Sequence, residues 1–134
     1  MKTLIASACA ALALALAGCA SKPVPEAEQN YRVEWIGERP LIDYTHISLT
    51  LDGNGRAYGS AGCNHWFASY KLEGDQLTFG QPGATRKLCA DLVMEQEQQF
   101  LKMLGQVQRW DITEEGELRL WPASGRAMRL WPEG

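Results

Sequence analysis

Cys63, Asn64 and His65 are consecutive, with Cys89 further along the chain and His46 upstream. Thiolate and imidazole together suit zinc or copper, so one reading of these residues is a metal site. The paired C-x-x-C or H-x-x-x-H spacings that mark such sites are missing. A second reading is a cysteine nucleophile, which needs a thiolate beside a base and a third, orienting group. His65 stands only two positions from Cys63, and no oxyanion-hole loop is recognisable. There is no Gly-rich phosphate loop and no Gly-x-Ser-x-Gly elbow. Glu95 and Glu97 are two apart in a helical stretch, so they do not face each other. The expectation is a chain with no catalytic residues, no metal and no cofactor.

Which thiols remain available depends on the N-terminus. Met1 and Lys2 precede an uncharged apolar run that ends in small residues at Leu16-Ala17-Gly18-Cys19. A short basic start followed by such a run is the pattern of a secretory signal peptide, and the run is too short for a membrane-spanning helix. Its end resembles a bacterial lipobox, which implies cleavage after residue 18 and lipidation (palmitate among the acyl chains) of Cys19. One acyl chain anchors only marginally, at ~0.8 kcal/mol per buried methylene, so the several chains of a lipoprotein hold permanently. Ala20 and Ser21 follow, with no aspartate, which by resemblance to Gram-negative sorting rules favours the outer membrane, facing the periplasm. Loss of residues 1–18 removes Lys2 and takes the formal net charge from −3 to −4. With no basic patch to hold phosphates, nucleic acid is an unfavoured partner.

Four cysteines allow three pairings if all are free. Cys9 leaves with the signal peptide and Cys19 is consumed by lipid, so Cys63 and Cys89 remain. In an oxidising compartment they are expected to form a disulfide. The loop so closed is worth ~3.5 kcal/mol by chain entropy. The competing reading is two separate buried thiols packing as small hydrophobes.

Around these cysteines the chain divides into a tether and one domain. Residues 19–30 carry prolines and charges and lack large apolar groups, which reads as a lipidated tether. At ~3 Å per residue it would hold the domain roughly 30 Å from the lipid. The domain spans 31–134. Tyr31, Val33 and Trp35 alternate as a half-buried strand requires. Ile47, Leu49 and Leu51 do the same before Asp52-Gly53-Asn54-Gly55, a turn signal that predicts a hairpin. The return strand to Gly62 is rich in small residues, which predicts close packing across it. Strands are also predicted over His65–Leu72 and Gln76–Phe79. From Ala90 to Leu104, Val93, Phe100 and Leu104 recur at helical spacing, with Gly105 placed as a C-terminal glycine. Three strands follow, Val107–Thr113, Glu117–Trp121 and Arg126–Trp131, with Leu118, Leu120, Met128 and Leu130 facing the core. The fold class expected is α+β: a small curled antiparallel sheet or barrel of about seven to eight strands with one helix packed on it.

Of the five tryptophans, Trp35, Trp66 and Trp110 are expected in the core and at sheet ends. Alternation places Trp121 and Trp131 outside, beside Arg119 and Arg129. These four residues either stack as cation–π pairs, or the tryptophans are covered by the tether, or the four form a partner-binding patch.

Gly62-Cys63-Asn64, Ser69-Tyr70, Leu77-Thr78-Phe79, Thr85-Arg86 with Cys89, and then Met94, Glu97, Phe100 and Leu104 occur in this order and spacing. In that pattern the chain resembles the META domain family, the group that includes the heat-shock lipoprotein HslJ. The resemblance covers about Trp35 to Leu130 and departs at Ala68, where the family commonly has glycine. It implies an envelope lipoprotein in stress response and no established reaction. The leading expectation is a non-enzymatic outer-membrane lipoprotein with a structural or binding role in envelope stress tolerance, anchored through Cys19 and partnered by an envelope protein. The alternative is a periplasmic inhibitor or ligand-binding β-barrel resembling lysozyme inhibitors, using the Asp52–Gly55 tip or the Gln81–Lys87 loop. A thiol redox enzyme, the third class, needs a reactive low-pKa cysteine.

Overall fold

The computed structural model describes residues 24–134. The expected signal peptide, Cys19 and the first part of the expected tether lie outside the described residues. The strands are β1 (Asn30–Ile36), β2 (Arg39–Pro40), β3 (Ser48–Leu51), β4 (Arg56–Ser60), β5 (His65–Glu73), β6 (Gln76–Phe79) and β7 (Gly83–Ala84). Helix α1 (Asp91–Leu104) follows, then β8 (Val107–Ile112), β9 (Leu118–Pro122) and β10 (Met128–Glu133). Eight strands run β1-β3-β4-β5-β6-β8-β9-β10, and β10 returns to β1 to close an antiparallel barrel. The short β2 and β7 lie off that ring, on β1 and β5.

An eight-stranded barrel is just wide enough for side chains to fill, and this one is filled. Ile47, Leu49, Leu77, Leu118, Leu120, Met128 and Leu130 are fully buried, as alternation predicts for the last four. Trp66 is the central plug. Its indole nitrogen donates to the Ser48 carbonyl at 2.9 Å, and its ring meets Phe100 of α1 edge-on at 5.5 Å. The small residues of β4 make room here: a Cβ on Gly59 would collide with the Ser48 carbonyl.

The Asp52–Gly55 hairpin forms as predicted. Gly53 and Gly55 take φ of 83° and 91°, and the Asp52 carboxylate accepts the N–H groups of Asn54 and Arg56. Those backbone bonds hold its pKa below the usual value.

Three local expectations need correction. Trp35 is not in the core. β1 and β10 pair Val33 with Leu130 and then Trp35 with Arg129, so one extra residue on β1 forms a bulge. The bulge breaks the alternation: Ile36 turns inward and Trp35 is left half-exposed on the outer wall. Gly105 caps the C-terminus of α1 as expected, but with φ −67°, a right-handed conformation, so the helix ends without a left-handed cap. Order also begins before Tyr31: the Glu28 N–H donates to the Leu51 carbonyl at 2.8 Å, and the Gln29 amide bonds the Asn30 and Glu133 carbonyls.

Candidate functional site

The residues that looked most chemical build a structural knot. Cys63 and Cys89 form a disulfide with Cα atoms 6.0 Å apart. Beside it, Asn64 joins three segments. Its Oδ1 accepts the Lys87 N–H at 2.6 Å and the Thr85 hydroxyl at 3.0 Å. Its Nδ2 donates to the Glu97 carboxylate at 2.8 Å and its backbone N–H donates to the same group at 2.7 Å. Glu97 is only 1% exposed, so these two donors stand where water would otherwise be. Next to it Gln96 accepts the Ile42 N–H and donates to the Thr45 hydroxyl. Two polar residues on the buried face of α1 thus tie two loops to the barrel, a role that hydrophobic periodicity does not reveal.

The other motif residues are dispersed. Gly62 adopts φ 106° above Ile47 and Val93. Phe100 is core. Tyr70 accepts the Gly53 N–H at the far end of the barrel. Arg86 is exposed. The histidines do not converge: His65 is exposed, and His46 pairs with Glu133 at 3.0 Å. Among the described residues, no group of three or more His, Cys, Asp or Glu side chains is arranged to hold a metal ion. The Gln81–Lys87 loop is laid along β5, with β7 pairing Trp66 and Phe67 and the Thr85 N–H donating to the His65 carbonyl.

The feature with binding geometry is on the outer wall. Cross-strand register sets Asp111, Arg119, Arg129 and Trp35 in one row across β8, β9, β10 and β1. Two arginines directly opposite would repel, and carboxylates hold each in place. Arg119 donates through Nε and Nη2 to Asp111, both at 2.7 Å. Arg129 does the same to Glu117, at 3.1 and 2.9 Å. Glu117 is 5% exposed. Trp121 donates its indole N–H to Asp111 at 3.1 Å, with the Arg109 and Arg119 guanidiniums 4.8 and 5.2 Å from its ring centre. Arg129 lies 5.7 Å from the ring centre of Trp35. Burial pushes the Asp111 carboxyl up, but the hydrogen bonds from Arg119 and Trp121 and the neighbouring arginine charges outweigh this and hold it below its ordinary range.

Between the two tryptophans lies an open cleft of about 620 Å³, edged also by Glu38 and Arg126. Of the four residues expected to form an outer patch, Arg119, Trp121 and Arg129 come together here. Trp131 does not line the cleft; it stands across from Arg32, half-buried. Trp35 takes the place expected of it as the partner of Arg129. The signal that could have found Trp35 is the bulge, which only the pairing with β10 creates.

The META domain family model matches residues 24–134. The chain belongs to the META domain family. Among solved structures, this META domain is similar to an NMR structure of a protein from Burkholderia xenovorans, 23% identical, with a TM-score of 0.69 over 80% of this chain and 83% of that one. A second NMR structure is 22% identical, with a TM-score of 0.61 over 78% of this chain and 88% of that one. At these identities the likeness concerns the fold. A search of curated proteins finds no match.

Proposed function

We propose that this META domain is a non-enzymatic binding module, anchored by lipid at Cys19 to the outer membrane, facing the periplasm and serving envelope stress tolerance. The observation that carries the reading is the Trp35–Trp121 cleft. The barrel interior is full, so a ligand has its best room outside, and flat aromatic walls with fixed arginines are the composition of binding hot spots. The disulfide occupies both sulfurs of Cys63 and Cys89, which leaves the thiol readings without a nucleophile. The anchor rests on the lipobox resemblance at Leu16–Cys19.

The test is a crosslinking pull-down from intact envelopes with the lipidated protein. Trp35→Ala/Trp121→Ala is expected to lose the captured partner while keeping the fold by circular dichroism. Unchanged capture with a lowered melting temperature would mean that the tryptophans only hold the wall together. Palmitate labelling of the native chain and its absence in Cys19→Ala test the anchor separately.

A further inference from the structure

Resting on the cleft as the binding surface, we propose that its ligand is a glycan whose sugar rings carry single carboxylate groups. Charge comes first. Arg109, Arg119, Arg126 and Arg129 stand against Glu38, Asp111 and Glu117 in and behind the cleft wall, a formal excess of one positive charge. A monoanion completes that balance, whereas a phosphate monoester of nearly two charges would exceed it.

Donor geometry agrees. Arg119 and Arg129 each spend Nε and Nη2 on their carboxylates, so the Nη1 of each makes no hydrogen bond among the described residues. These two residues are direct partners on β9 and β10. Arg126 touches Glu38 only at 3.6 Å, with both side chains exposed, and a pair of that kind is easily opened. Three guanidiniums are thus available to one carboxylate, and their fork geometry suits it.

The rest of the surface suits a polyhydroxylated ring. Hydroxyls both donate and accept, and here carboxylate acceptors sit beside guanidinium donors. Trp35 and Trp121 supply flat apolar walls for the carbon faces of a sugar. The cleft volume of about 620 Å³ falls within the ~300–1,000 Å³ of small-molecule sites.

β1 starts at Asn30, where the chain arrives from Pro25, and the cleft is at its other end, beside Trp35 and Gly37. Five strand steps put the cleft about 17 Å further along the barrel, clear of the point where the chain enters the domain.

Isothermal titration calorimetry on the mature lipidated protein in detergent micelles tests this. The probes are soluble oligomers of alternating N-acetylglucosamine and N-acetylmuramic acid, and the same oligomers with their carboxylates amidated. Binding of the acidic oligomer is expected, with a loss of about tenfold or more on amidation, the scale of one charge-assisted hydrogen bond. Arg126→Ala and Trp35→Ala should each weaken it comparably with melting temperature held. Equal affinity for the acidic and amidated oligomers overturns the proposal, as does binding to a soluble glycerophosphodiester headgroup but not to the glycan. No glycan binding by a folded native protein whose cleft still captures an envelope protein overturns the ligand class and leaves the binding module standing. No binding and no cleft-dependent capture overturns both.

Discussion

Cutting the Cys63–Cys89 bond should cost this domain most of its thermal margin. The two cysteines are 26 positions apart, and closing a loop of that size removes ~3.5 kcal/mol of unfolded-state entropy. Because this acts on the unfolded chain, the Asn64–Glu97 hydrogen bonds, which hold the same segments in the folded state, do not make the bond redundant. Unfolding entropy of ~2.1 cal/mol/K per residue gives about 0.23 kcal/mol/K for a domain of this length. The expected drop in melting temperature is therefore about 15 °C. It is read by circular dichroism on the oxidised protein, on protein reduced with dithiothreitol, and on Cys63→Ser/Cys89→Ser. Cys89 is exposed, so reductant can reach the bond. A drop below about 3 °C, or labelling of the native protein by a thiol reagent without reduction, would refute the reasoning.

Other perturbations follow from the same contacts. Glu97→Gln keeps the shape but sets an amide against one of the two Asn64 donors, so a loss of about 1–3 kcal/mol is expected in urea unfolding; Glu97→Ala should lose more. Gly59→Ala drives a methyl into the Ser48 carbonyl that Trp66 bonds, and overpacking of this kind costs about 1–3 kcal/mol, to be seen as a lower urea midpoint. Asp111 has a depressed pKa in the folded state. Its stabilisation is complete above the unfolded value of ~3.9 and is lost as pH falls through the folded value, so melting temperature should fall in acid. Asp111→Asn should flatten that fall below pH ~4 while lowering the plateau at neutral pH.

Much of the barrel was legible because its strands obey period two. Leu118, Leu120, Met128 and Leu130 alternate, and the Asp52–Gly55 turn carries its own conformational demand. The helix showed through Val93, Phe100 and Leu104. What stayed hidden depends on partners distant in sequence. The bulge that expels Trp35 exists only against Arg129 and Leu130. Gln96 and Glu97 find their partners, Ile42, Thr45 and Asn64, only when segments distant in sequence meet the helix. The two-residue strands β2 and β7 have no period to detect. The candidate site was half visible, with Arg119, Trp121 and Arg129 on the outer face, because alternation predicts a face but not which aromatic completes it.

The central claim is that the Trp35–Trp121 cleft is the surface this protein uses. Site-directed photocrosslinking in living cells tests it, with the reactive residue placed at Glu38 at the cleft edge and, for comparison, at Lys71 on the opposite wall. The account predicts adducts from position 38 that disappear when Trp35 and Trp121 are replaced by alanine, and none from position 71. Adducts from position 71 alone, or equal adducts from both, would contradict it.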